Sequence, residues 1–147
     1  MVQKLYYVDS CIWLNLFKKE GDPTQGVPYW KLAEEFIEKV MFSDNKIVYS
    51  GFVLKEIGYT LNNKELFEEK KEFMKEEPQF HFVKATPEDY DFGRKLESEF
   101  KFEISFFDCM HVAICNRVQC ILVTRDRLLI EKAKKYVSVD KPEHLFP

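Results

Sequence analysis

Residues 104–129 read ISFFDCMHVAICNRVQCILVTRDRLL, and the order of features in this stretch sets the fold class. Ser105 stands where its hydroxyl can cap a helix, and the apolar run behind it predicts a helix ending near Arg117. Residues 120–124 (Cys-Ile-Leu-Val-Thr) form a short unbroken apolar run, as expected of a strand covered on both faces. A second helix is expected from about 126 to 135. Helix, buried strand and helix in succession belong to an α/β domain with a parallel sheet.

Outward from this block the alternation continues. Upstream, residues 4–8 (Lys-Leu-Tyr-Tyr-Val) read as a buried strand, followed by Asp9, Ser10 and an apolar helix through Phe17. Gly21, Pro23, Gly26 and Pro28 mark residues 19–28 as a loop. Leu32, Phe36, Ile37 and Val40 share one face of a helix over 29–42. Residues 46–49 (Lys-Ile-Val-Tyr) predict a strand, and Ser50 is placed to cap a helix over about 51–62. A polar helix over 63–77 is expected to bury Leu66, Phe67 and Phe73. Residues 80–84 predict a strand, and Thr86-Pro87-Glu88 a helix start running to about Phe100. Downstream, residues 136–140 predict a short last strand, with Pro142 ending the regular structure. Strands and helices alternate throughout, so a parallel sheet sandwiched between helices is expected, in one domain over 1–147.

The bulk numbers agree with that reading. At 147 residues and 46% hydrophobic content the chain can bury a core. Nothing approaches the roughly 20 apolar residues of a membrane span, and the opening MVQKLYYVDS lacks a signal-peptide pattern, so a cytoplasmic protein with no membrane partner is expected. Cys11, Cys109, Cys115 and Cys120 contain no Cys-x-x-Cys pair. They are read as small buried thiols in a reducing compartment rather than zinc ligands. A net charge of −3 argues against a bulk electrostatic nucleic-acid binder. It leaves room for a nucleic-acid enzyme, because divalent cations reverse the local charge of an acidic site.

The acids fall in a pattern. Ligands of open parallel sheets bind at the carboxyl ends of the strands. Asp9 directly follows the first strand, and Asp126 lies two residues beyond Thr124, at the same rim. Asp108 is in the first turn of its helix, where free N–H groups favour a carboxylate. Glu56 lies among Phe52, Val53, Leu54, Ile57 and Tyr59, and a charge there needs a partner or a metal if buried. Each acid has an ordinary reading alone: Asp9, Asp108 and Asp126 as helix-start residues, Glu56 as a solvated residue or a partner of Lys55 or Lys64. Together, four acids at one rim would repel one another unless cations neutralised them, and hard oxygen donors suit Mg²⁺ or Mn²⁺.

Three blocks, YYVDSCIWLNLF (6–17), YSGFVLKEIGYTL (49–61) and the stretch 104–129, resemble the PIN domains, in the family's order and across nearly the whole chain. The third is the most specific, combining Ser105, Asp108, a small apolar helix, a strand and Thr-x-Asp. The resemblance implies a three-layer α/β/α sandwich with a central parallel sheet of about four to five strands. It implies a metal-dependent ribonuclease, with Asp9, Glu56, Asp108 and Asp126 holding one or two Mg²⁺ or Mn²⁺ ions, and Ser10 and Thr124 orienting a carboxylate or phosphate oxygen. Arg125 and Arg127 are candidates for RNA contacts, with a solvated loop charge as the alternative. Many small members are toxins of VapBC-type toxin–antitoxin pairs and form dimers, so an antitoxin and a homodimer are further expectations. Others act alone in RNA processing, and a non-catalytic PIN module is the rival reading. Two features depart from the usual pattern: Cys109, Met110 and His111 stand where small residues are usual, and residues 19–45 are long.

Other phosphoryl-transfer folds fit less well. A haloacid-dehalogenase-like phosphatase wants an acid at position 11, which is Cys11, and a receiver domain wants an acceptor Asp where Lys84-Ala85-Thr86 stand. No Gly-rich phosphate loop occurs among the five glycines. His111 and Cys115, four apart on one helix, are read as a packed Cys beside a partly exposed His.

Overall fold

The computed structural model describes residues 3–146. Five parallel strands form one sheet: β1 (Leu5–Val8), β2 (Lys46–Tyr49), β3 (Phe80–Phe82), β4 (Ile121–Val123) and β5 (Ser138–Asp140). Their spatial order is β3-β2-β1-β4-β5. The chain therefore steps from β1 outward to β3, then returns to the other side of β1 for β4 and β5. That reversal opens a crevice between the carboxyl ends of β1 and β4, where parallel sheets place their ligands. Val8 is in register with Val123, so Asp9 and Thr124 face each other as the two strands end.

Among the described residues, eight α-helices accompany the sheet: α1 (Ser10–Phe17), α2 (Tyr29–Met41), α3 (Gly51–Leu61), α4 (Lys64–Glu76), α5 (Pro87–Glu99), α6 (Phe106–Val118), α7 (Arg127–Ala133) and α8 (Pro142–Leu145). The architecture is the expected α/β sandwich. β1 shows why both faces must be covered. Tyr6 and Tyr7 are both fully buried and point opposite ways. Tyr6 meets Phe36 of α2 edge-on, ring centroids 5.2 Å apart, while Tyr7 lies 5.3 Å from the His111 ring of α6. α6 is buried continuously from Cys109 to Cys115, which its nearly unbroken apolar sequence allows. α5 packs closely on it: a Cβ on Gly93 would lie 2.5 Å from Met110 Sδ. The two helices are also tied where Arg117 Nε donates to both carboxylate oxygens of Asp89, each at 3.0 Å.

Three local expectations need correction. Pro142 begins α8 rather than ending regular structure, because proline at the first helical position gives up no needed N–H. On α4 the fully buried side chain is Met74, and Phe73 is 39% exposed, since Met74 continues the Phe67–Lys70 side of the helix. Ser50 occupies the N-cap position of α3 but makes no capping bond; its hydroxyl is taken by Tyr7. Among the described residues, no helix is long and apolar enough to cross a membrane.

Candidate metal centre

Asp9 sits at the point of strand reversal. It occupies the N-cap position of α1, yet its side chain caps nothing. Its backbone N–H continues the sheet to Val123 O at 2.9 Å, and its carboxylate is only 4% exposed. The hydroxyl of Thr124, at the end of β4, donates to Asp9 Oδ2 at 2.8 Å, and the Cys11 thiol reaches the same oxygen at 3.3 Å. The Ser10 hydroxyl approaches Oδ1 at 3.4 Å. A buried aspartate serving no helix and oriented by neighbouring hydroxyls is held for another purpose.

The other acids arrive from separate elements. β2 ends at the same rim, and α3 turns back from it with Phe52, Val53 and Ile57 buried. Glu56 shares that face, one turn beyond Phe52 and Val53, with its side chain 26% exposed. Asp108 lies in the first turn of α6, its N–H bonded to Ser105 Oγ at 3.1 Å, so Ser105 caps as expected. Asp126 is exposed, and its Oδ1 accepts from Leu128 N at 3.0 Å and Leu129 N at 3.1 Å, which makes it the cap of α7.

Among the described residues, Asp9, Glu56 and His111 form the group whose possible ligand atoms all lie within 4.8 Å of one another. Asp108 and Asp126 stand outside that group but act on it electrically. Burial, then the charge of Asp9, with smaller contributions from Glu56 and Asp126, pushes the Asp108 carboxyl up to about 7, against an opposing pull from His111. The four sequence-predicted acids thus share one electrostatic pocket, and two of them, Asp9 and Glu56, belong to the close group.

His111 is the residue sequence reasoning misplaced. It is fully buried rather than partly exposed, and its side-chain partners are Glu56 and Tyr7 rather than Cys115. Nε2 lies 2.5 Å from Glu56 Oε1 and 3.6 Å from Asp9 Oδ1, while Nδ1 lies 2.7 Å from the Tyr7 hydroxyl. Burial pulls the imidazole pKa down, but the Glu56 hydrogen bond and the charges of Asp9, Glu56 and Asp108 together raise it. Facing a carboxylate, Nε2–H donates to Glu56, and Nδ1 pairs with the Tyr7 hydroxyl. The signal was its place three residues after Asp108, which puts the two on one helix face. Cys11 was likewise missed at the site; burial and then Asp9 push its thiol pKa up, keeping it neutral.

Arg125 is committed elsewhere. Its guanidinium pairs with both Glu143 oxygens at 2.8 and 2.9 Å, its Nε reaches Asn15 Oδ1 at 3.2 Å, and it lies 4.4 Å from the centre of the Tyr29 ring. Arg127 is exposed at the start of α7.

Residues 6–135 match the PIN domain family. The chain belongs to the PIN-domain family. Solved structures share the fold of this PIN domain at low sequence identity. VapBC2 from Rickettsia felis, bound to a DNA fragment from its promoter, is 17% identical over 93% of this chain and 98% of that one, with a TM-score of 0.67. FitAcB from Neisseria gonorrhoeae is 15% identical over 95% and 99%, with a TM-score of 0.65. A toxin–antitoxin complex from Klebsiella pneumoniae is 16% identical over 95% and 98%, also at 0.65. No curated protein sequence matches this PIN domain.

The donor set fits a hard divalent cation. Oxygen donors of Asp9 and Glu56 converge, and burial together with the Asp9 charge raises the neighbouring Asp108 carboxyl. Asp9 and Glu56 are the carboxylates of the close group that would hold such an ion, with Asp108 beside them.

Proposed function

We propose that this PIN domain is a Mg²⁺- or Mn²⁺-dependent endoribonuclease that hydrolyses RNA phosphodiester bonds. The observation that carries the reading is Asp9: buried, free of any capping duty and oriented by Thr124 at the reversal between β1 and β4. Bound at this site, a divalent cation would acidify the attacking water and neutralise charge developing on the phosphoryl oxygens. The chain supplies the rest. Asp9 and Asp108 offer direct ligands, Glu56 a third from the opposite helix, and Asp126 adds negative charge at the mouth while fixing the start of α7. Thr124, buried between Asp9 Oδ2 and the backbone N–H of Asp126, couples the positions of both acids. Arg127 is the exposed cation beside Asp126 available to an RNA phosphate.

Asp9→Asn and Asp108→Asn are expected to lower RNA cleavage at least about a hundredfold while preserving the far-UV circular dichroism spectrum. EDTA should abolish wild-type cleavage and Mn²⁺ restore it. Activity surviving EDTA, or undiminished in Asp9→Asn, rules the reading out. The toxin–antitoxin complex and the VapBC and FitAB assemblies among the structural neighbours support an antitoxin as partner, with a homodimer and a cytoplasmic location as parts of the same proposal. Copurification with the product of an adjacent reading frame tests the partner.

A further inference from the structure

We propose that His111 is a positioning residue that holds Glu56 in the metal centre. This rests on the metal-centre reading above and adds to it a residue that is itself no ligand. Four groups from four elements form one buried hydrogen-bonded row: Ser50 after β2, Tyr7 on β1, His111 on α6 and Glu56 on α3. The Ser50 Oγ to Tyr7 Oη distance is 2.7 Å, Tyr7 Oη to His111 Nδ1 is 2.7 Å, and His111 Nε2 to Glu56 Oε1 is 2.5 Å.

Nε2–H faces a carboxylate and donates to Glu56 Oε1, while Nδ1 pairs with the Tyr7 hydroxyl, which pairs in turn with Ser50. Both ring nitrogens have partners, so the ring cannot turn without leaving a buried polar group unpaired. Glu56 needs such a tether. It comes from a helix that reaches the rim independently of β1 and β4, and a glutamate carries three side-chain torsions. Binding Oε1 leaves Oε2 available to an ion. The ring is also the one basic side chain that both Asp9 and Glu56 approach within 4 Å among the described residues. Carboxylate ligands held this way lose affinity for metal when the outer partner is removed.

Two amide substitutions separate positioning from packing. The amide nitrogen of glutamine overlays Nε2 of histidine and can still donate to Glu56; that of asparagine overlays Nδ1 and cannot. Mn²⁺ binding, followed by electron paramagnetic resonance of the free ion, is expected to weaken about 10–100-fold in His111→Asn and only about threefold in His111→Gln. RNA cleavage at saturating Mn²⁺ should follow the same order. Equal weakening in both variants overturns the proposal, because loss of packing treats them alike. A nitrogen modulation in the spin-echo signal of Mn²⁺ bound to wild type also overturns it, since His111 would then be a ligand. Wild-type protein that binds no Mn²⁺ removes the metal-centre reading itself, whereas tight binding in wild type and His111→Asn alike removes the positioning role alone. Should His111→Asn fail to fold, Tyr7→Phe keeps the ring in place and deletes the hydrogen-bond partner of Nδ1. It is expected to weaken Mn²⁺ binding in the same direction, and unchanged affinity overturns the proposal.

Discussion

Asp108 and His111 occupy one face of α6, and both have pKa values raised by the pocket they share. The sign of the resulting pH dependence is fixed. An aspartate free in the unfolded chain titrates near 3.9, against about 7 for Asp108 in the fold, so the folded state holds the extra proton between those values. Its contribution to stability is complete below about pH 4 and is lost as the pH rises through about 7. His111 follows the same rule from its own unfolded value near 6.5, losing its contribution as the pH passes its raised folded value. Metal-free protein is therefore expected to melt at progressively lower temperature from pH 5 to pH 8. Asp108→Asn should flatten the lower part of that curve and, at pH 8 without metal, melt about 2–4 °C above wild type, roughly 1 kcal/mol. A lower melting temperature for Asp108→Asn under those conditions contradicts the crowding of charge. At this scale the acids were legible because each stands next to a strand end or helix start. His111 was not, because its role depends on Tyr7 and Glu56, which are distant in sequence and meet it only through the order of the strands.

At the scale of elements, α5 and α6 carry the sharpest constraints. Asp89 closes the capping box of α5 with Thr86 and also accepts from Arg117 near the end of α6. Its burial raises the carboxyl pKa, but the Arg117 and Thr86 contacts outweigh that and lower it. Asp89→Ala is expected to destabilise by about 1.5–3 kcal/mol in urea titrations at pH 7. The difference should shrink below about pH 4, as the wild-type carboxylate becomes protonated. Gly93→Val should lose about 1–3 kcal/mol by driving a side chain into Met110. Between the two helices, Lys101 and Phe102 both hold left-handed backbone, at φ 54° and 58°. Lys101→Gly is accordingly expected to raise stability by about 0.5–1 kcal/mol, measured the same way. Helices were the most readable elements, since Thr86-Pro87 and Ser105 mark their starts by local chemistry. Ser50 offered the same signal and misled, because a hydroxyl can be claimed by a partner from another strand.

Across the whole molecule, the alternation of apolar runs predicted the layers and the parallel sheet, while the order of strands lay beyond it. Nothing local in Leu5–Val8 says that its two neighbours are β2 and β4; that follows from which helices cover which face. The site inherits this property, being assembled from residues 9, 56, 108 and 111. Binding of Mn²⁺ to the native state alone should raise the melting temperature of wild type, with no rise in Asp9→Asn. Differential scanning fluorimetry at matched ionic strength checks this. The sheet order has a consequence for synthesis as well. While a ribosome is still making α6, β1 has β2 on one flank and open hydrogen-bonding groups on the other. A nascent chain halted before Ile121–Val123 have emerged from the ribosome would thus expose a sticky apolar ribbon at the middle of its future sheet, inviting coalescence with its neighbours on the same message.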